Sequence, residues 1–355
     1  MRRSVEETRG QTVGRRVRTV PLVLAAFVLV TVLLPVLLVA ALLVDLVRRV
    51  AHGVPFVGVR LVATLWCFLL FDVLGLAAFL LLWIASGFGR REAWQIARVW
   101  TLEGVWASWI FGTVRRLFGM TLVVEGDDVI VSRPPAPVLV LIRHASIVDN
   151  LLPANLITRP HGVLLRYVLK RELLMEPCID VAGKRLPNRF VRRDSGDPKE
   201  IEGVVALAQD LGPRDGVLIY PEGTRFTPER RDRGLARIAE SDPARAERLA
   251  GLRYLLPPRT GGPTALLGAM PGVDVLVCAH HGFDGLRLVS DIWKGGLVGT
   301  RISVRFTRVP RADVPDDADG QVRWLDGVWL EMDRWIAVRD GVDRDRLAAR
   351  GRATA

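Results

Sequence analysis

The stretch Val138-Leu139-Val140-Leu141-Ile142-Arg143-His144-Ala145-Ser146-Ile147-Val148-Asp149 joins an unbroken apolar run to a histidine and, five positions later, an aspartate. Five apolar residues without alternation, opened by Pro137, read as a strand buried on both faces. The end of that strand delivers His144. An offset of five is about 500° around a helix, so His144 and Asp149 do not share a helical face. They meet only if His144 precedes a helix and Asp149 falls within its first turns, with Ser146 as N-cap. The carboxylate can then hold the imidazole in one tautomer and stabilise the imidazolium. Such a ring can take a proton from an attacking hydroxyl, help worth about 10²–10⁴ in rate. The spacing alone is a weak signal, and its bland alternative is a loop histidine bonded to nearby backbone.

A second stretch, Tyr220-Pro221-Glu222-Gly223-Thr224-Arg225, follows the apolar run Val217–Tyr220. Gly223 lets the backbone approach a ligand, and Arg225 can fork onto a phosphate. Glu222 either accepts from a ligand hydroxyl or fixes an arginine. Together Glu222, Gly223, Thr224 and Arg225 read as an anion clamp, against the alternative of an ordinary strand-to-loop turn. Among the other histidines, His52 and His161 fall in links. His280 and His281, with Asp284 close behind, rival His144 on spacing but lack an anion clamp on a following strand.

Further strands are expected at Gly162–Val168, Val273–Ala279 and Thr300–Thr307, with a helix at Pro198–Leu211 capped by Asp197. Thr121–Glu125 and Val129–Ser132, joined by Gly126-Asp127-Asp128, carry a hairpin signal. Strands alternating with helices imply an α/β layer fold. Phe226–Leu252, rich in charge, reads as one or two exposed helices. Gln321–Val338 reads as an amphipathic helix with Leu325, Val328, Trp329, Met332 and Trp335 inward.

The N-terminal third differs. Leu22–Val44 and Leu61–Ala85 are each long and apolar enough to span a bilayer, with the link 45–60 between them. The first run is too long for a cleaved signal peptide, and no clear cleavage site follows. Arginines flanking the pair predict both ends of this hairpin in the cytoplasm. Asp72, the one charge in the second run, reads either as a substrate or partner contact or as a buried group satisfied by the other helix. Glu92–Phe118 is expected to be helical, its tryptophans and arginines suiting either the headgroup layer or packing. The formal net charge of +11 favours anionic partners. With no zinc-finger spacing or aromatic RNA-binding motif, lipid is preferred to nucleic acid. Three cysteines without close spacing argue against a disulfide framework. The expected division is a basic tail (1–19), two membrane helices (20–90), an interfacial helix (91–120), a catalytic domain (121–340) and a basic tail (341–355).

The blocks, taken in order, resemble the glycerolipid acyltransferases of the 1-acylglycerol-3-phosphate acyltransferase type. His144 to Asp149 looks like the first block, Phe190-Val191-Arg192-Arg193 the second and Tyr220–Arg225 the third. Val273–Ala279 stands in place of the fourth. Leu256-Pro257-Pro258-Arg259-Thr260-Gly261-Gly262 resembles a segment of the longer, lysophospholipid-type members. The resemblance implies a mixed sheet flanked by helices, preceded by the transmembrane hairpin. It implies a multi-pass protein of the cell membrane with its active site on the cytoplasmic side. It also implies transfer of a fatty acyl group from acyl-CoA or acyl carrier protein to a lysophospholipid hydroxyl. In that scheme His144 is the base and Asp149 its partner. Arg193 and Arg225 bind the acceptor phosphate, and Glu222 and Gly223 shape that site. No metal or redox cofactor is implied. Two departures, Pro187 in place of a glycine and a fourth block without its proline, fall where the acceptor pocket is shaped. They leave another lysophospholipid or a polyol-linked acceptor open. A thioester hydrolase is the remote alternative, for which no Gly-x-Ser-x-Gly elbow is present.

Overall fold

A computed structural model describes residues 7–146, 148–191, 198–284 and 289–353. The chain opens with three long helices, α1 (Arg9–His52), α2 (Gly58–Ala85) and α3 (Glu92–Leu117). Strands β1 (Thr121–Glu125) and β2 (Val138–Ile142) follow, then the short helix α4 (Arg159–His161) and β3 (Leu164–Lys170). Next come α5 (Pro177–Gly183), β4 (Arg189–Val191), α6 (Pro198–Val205) and β5 (Asp215–Ile219). Helices α7 (Pro228–Ser241), α8 (Pro243–Leu249) and α9 (Gly261–Ala269) precede β6 (Asp274–His281). The chain closes with α10 (Val289–Trp293), β7 (Arg301–Val309) and α11 (Ala318–Ala353). These elements form two units: one of Met1–Met120, Leu151–Gly196 and Val289–Gly299, the other of Thr121–Asn150, Asp197–Leu288 and Thr300–Ala355.

The second unit is built on a mixed sheet of strand order β1-β7-β6-β2-β5. β2 is buried along its whole length, as its unbroken apolar run requires. It pairs parallel with both β5 and β6, while β6 pairs antiparallel with β7. The expected hairpin is not there. Thr121–Glu125 pairs parallel with β7, and Asp127–Val129 is a 3-10 turn rather than the start of a return strand. Gly126 takes the left-handed conformation, and a side chain there would run into the Phe306 carbonyl of β7. The turn signal was local; the pairing partner lies far along the chain. Helix α6 stops at Val205 and passes through a 3-10 turn, with Asp210 at positive φ, short of the expected Leu211. Asp197, its expected cap, lies outside the described residues. On α11, Leu325, Trp329 and Met332 are buried as the pattern requires, and the helix runs on to Ala353.

The first unit carries the apolar helices. Thr8 and Gln11 close a capping box at the start of α1, and Gly53 ends it in the left-handed conformation. Helices α1 and α2 are long and apolar enough to cross a membrane. α2 and α3 share a core of Phe79, Val99, Trp100, Trp106, Ala107 and Ile110, joined by Cys178 and Ala182 of α5. Asp72 is buried and accepts from Trp106 Nε1 at 3.3 Å. Of the α3 tryptophans, Trp100 and Trp106 therefore pack inward, while Trp94 and Trp109 stay exposed. Strands β3 and β4 pair in parallel.

Both ends of α1 are fastened within this unit. At its start, Arg15 and Arg16 each reach the buried carboxylate of Asp180 on α5 at 2.8 Å. Near its end, Arg48 lies over the Trp293 ring, 4.2 Å from the centroid, and donates to the Trp293 carbonyl. The link to α2 packs Pro55 and Val57 against Gly295, and Arg60 donates to the Leu117 carbonyl at the end of α3. A helix crossing a bilayer has its two ends some 30 Å apart across the hydrocarbon. Here both ends meet segments that interleave with the strands.

Candidate active site

The site grows from the carboxyl ends of three adjacent strands, β2, β5 and β6, the edge at which open α/β sheets bind ligands. β2 ends at Ile142, opposite Cys278 of β6. The chain then turns through Arg143, His144 and Ser146 into the 3-10 turn Val148–Leu151. That turn brings Asp149 back under the histidine. Asp149 Oδ1 lies 3.2 Å from His144 Nδ1, and Oδ2 accepts the amides of Ala145 at 2.6 Å and Ser146 at 2.8 Å. The Ser146 hydroxyl caps the turn by accepting from Val148 N at 3.0 Å. Burial alone would raise the Asp149 pKa. The His144 ring, His280 and the Ser146 amide more than offset this and hold it below the usual carboxylate range. An ionised Asp149 fixes the His144 proton on Nδ1, leaving Nε2 as the bare, basic nitrogen. Nothing among the described residues hydrogen-bonds to Nε2.

β5 supplies the second stretch. The Tyr220 ring stands against the His144 ring, centroids 4.8 Å apart. Glu222 is 2% exposed, and its carboxyl group is taken up by backbone. Oε1 accepts the His144 amide at 2.7 Å and Oε2 the Leu256 amide at 2.9 Å. Burial pushes its pKa up to about 8, against the pull of Arg143 and those two amides. Phe226 N closes the loop by donating to the His144 carbonyl at 3.0 Å. Gly223 has φ 67°, and a Cβ there would sit 2.7 Å from Arg259 Nε. The backbone of this turn is thus roofed by a guanidinium. Thr224 and Arg225 follow, both half-buried. The Arg225 guanidinium pairs with no carboxylate among the described residues.

Residues 122–273 match the family model described as Acyltransferase. That stretch therefore carries an acyltransferase domain. The chain is also similar in structure to the 1-acyl-sn-glycerophosphate (LPA) acyltransferase PlsC from Thermotoga maritima. The TM-score is 0.52 at 15% identity, covering 79% of this chain and 98% of that one. At that identity the likeness speaks for the fold.

Of the expected site residues, the structure brings together His144, Asp149, Glu222, Gly223, Thr224 and Arg225. Arg193 lies outside the described residues. The rival pair His280 and His281 does not form a second centre. His280 is fully buried behind Asp149, and burial pushes it down to about 4, so it stays neutral. His281 lies 3.3 Å from Asp284.

Sequence reasoning missed Arg143. Its guanidinium is fully buried and ion-paired with Asp284, and it donates to the carbonyls of His280 at 2.6 Å and Tyr254 at 3.1 Å. Asp333 of α11 holds the neighbouring loop by accepting the amides of Arg253, Tyr254 and Leu255. The available signal was Asp284 itself, close behind the histidines. An arginine directly after a buried strand needs a carboxylate.

Proposed function

We propose that this acyltransferase moves a fatty acyl group from acyl-CoA or acyl carrier protein to the free hydroxyl of 1-acylglycerol 3-phosphate, giving phosphatidic acid. The observation that carries this is the bare Nε2 of His144, backed by Asp149 and placed beside a turn whose arginine pairs with no carboxylate among the described residues. Nε2 takes the proton of the acceptor hydroxyl as that oxygen attacks the thioester carbonyl. Asp149 stabilises the imidazolium that forms. The tetrahedral intermediate expels the thiolate, and the imidazolium returns the proton to it as thiol. Arg225 and Thr224, with Arg193 by resemblance, take the acceptor phosphate, and Gly223 admits it close to the backbone. Glu222 acts from beneath by fixing the His144 amide.

A second reading keeps the reaction and changes the acceptor. Arg259, which roofs Gly223, belongs to the segment resembling the lysophospholipid-type members, and Pro187 and the proline-free β6 also depart from the phosphatidic acid pattern. Labelled acyl-CoA offered to membranes with a panel of lysolipids separates the two. Labelled phosphatidic acid formed from 1-acylglycerol 3-phosphate supports the first. A preference for another headgroup supports the second, and free fatty acid made without any acceptor defeats both.

We further infer that α1 and α2 lie within one leaflet rather than cross the bilayer. Arg15 to Arg48 is about 50 Å of helix, and contacts with the parts of the chain between strands hold both ends. The side of α1 left exposed, with Val28, Val32, Val36 and Val39, suits acyl chains.

A further inference from the structure

The last two residues of β6 are His280 and His281, and the His280 ring lies directly behind the His144–Asp149 pair. Its Nε2 is 3.1 Å from the Arg143 carbonyl oxygen. A carbonyl only accepts, so Nε2 carries the ring proton. Nδ1 is then the bare nitrogen, and it has no hydrogen-bond partner among the described residues. The same Nε2 is 3.7 Å from Asp149 Oδ2. Its N–H dipole therefore faces the carboxylate whose other oxygen holds His144. The charged groups around the ring are Asp149, Arg143 and Asp284, and Phe283 stands edge-on with centroids 5.6 Å apart.

We propose that His280 is a positioning residue for acyl transfer: its Nε2–H fixes the peptide that carries His144 and sets how strongly Asp149 holds the His144 proton. This rests on His144 being the base. Removing the N–H takes a positive edge away from Asp149 Oδ2, which keeps only the Ala145 and Ser146 amides. The carboxylate becomes a stronger acceptor, His144 holds its proton to higher pH, and the basic form appears later in the titration.

The test is the pH profile of kcat/KM for the full-length enzyme with acyl-CoA and lysolipid. His280→Phe keeps the ring's shape without a donor, and His280→Gln can return an amide N–H near the Nε2 position. H280F is expected to move the acid limb up by about 0.5 to 1 pH unit, the size of one lost neutral hydrogen bond. Its kcat should fall several-fold with both KM values kept, and H280Q should bring the limb back. Equal shifts in H280F and H280Q, or a folded H280F with an unmoved limb, would overturn the proposal. If H280F does not fold, His280→Met, also without a donor, carries the same expectation. An active His144→Ala enzyme would instead defeat the base assignment, whatever the His280 variants show.

Discussion

The Glu222 carboxyl accepts the backbone amide of His144 at 2.7 Å, so the acidic residue of the second motif holds the base of the first. Its other oxygen takes the Leu256 amide. Glu222 thereby ties the ends of β2 and β5 to the loop that leads into α9. With both oxygens accepting backbone amides, Glu222 sets where His144 stands.

Glu222→Gln turns one accepting oxygen into an NH₂ group that faces a backbone N–H. An unmade buried bond of this kind costs about 1–3 kcal/mol, and kcat should fall by about 10- to 100-fold as His144 shifts. A pH signature accompanies it. The folded pKa is raised from 4.5 to about 8, so the stability this group contributes is full below its unfolded pKa and is lost as pH rises through the folded one. The Tm advantage of wild type over E222Q should narrow across that window. An advantage that widens with pH would show the carboxylate to be the favoured form.

Asp149→Asn should cost about 10²–10⁴ in kcat with little change in KM, because the amide neither fixes the Nδ1 tautomer nor stabilises the imidazolium. Steady-state kinetics at saturating acceptor checks it. A rise in KM at constant kcat would place Asp149 in binding instead.

The legible part of the molecule was what short-range pattern controls. Val138–Ile142 announced a buried central strand, and the five-residue offset to Asp149 required the turn that the structure contains. Leu325, Trp329 and Met332 announced the inner face of α11. What stayed hidden depends on partners distant in sequence. β1 reads as half of a hairpin because Gly126-Asp127-Asp128 is a turn signal, yet its edge is satisfied by β7. Arg143 looks like an ordinary residue at a strand end, and His280 like a rival base, until folding sets both against Asp149 and Asp284.

Gly223→Ala should impair the enzyme in two ways. An L-residue at φ 67° is strained by roughly 1–2 kcal/mol, and its Cβ would push Arg259 aside. Acceptor KM should rise more than donor KM. Equal effects on the two substrates would remove this turn from the acceptor site.

Arg143 and Asp284 form a buried pair, and removing one partner strands a charge. Asp284→Asn should cost about 3–5 kcal/mol. Burial alone would raise the Asp284 pKa, but Arg143 and His281 more than offset it and hold it well below the usual range. A depressed carboxylate contributes stability that is full above its unfolded pKa and lost as pH falls toward the folded one. The Tm gap between wild type and D284N should therefore hold constant at neutral and mildly acidic pH and shrink only below about pH 3.8. A gap already closing near neutrality would mean that another group titrates.

The seating of α1 makes a prediction about sidedness. Arg15 and Arg16 meet Asp180 between β3 and β4, and Arg48 meets Trp293, eight residues before β7 begins. If α1 crossed the bilayer, Asp180 and Trp293 would stand on opposite faces, and the strands on either side of them would need further crossings. No helix beyond α1 and α2 among the described residues is long and apolar enough to provide one. His52→Cys, at the end of α1, should therefore react with an impermeant thiol reagent from the same side as a cysteine placed at exposed Glu172, between β3 and β4 of the same unit. Reaction from opposite sides would restore the crossing hairpin and would require the contacts at one end of α1 to break in the membrane.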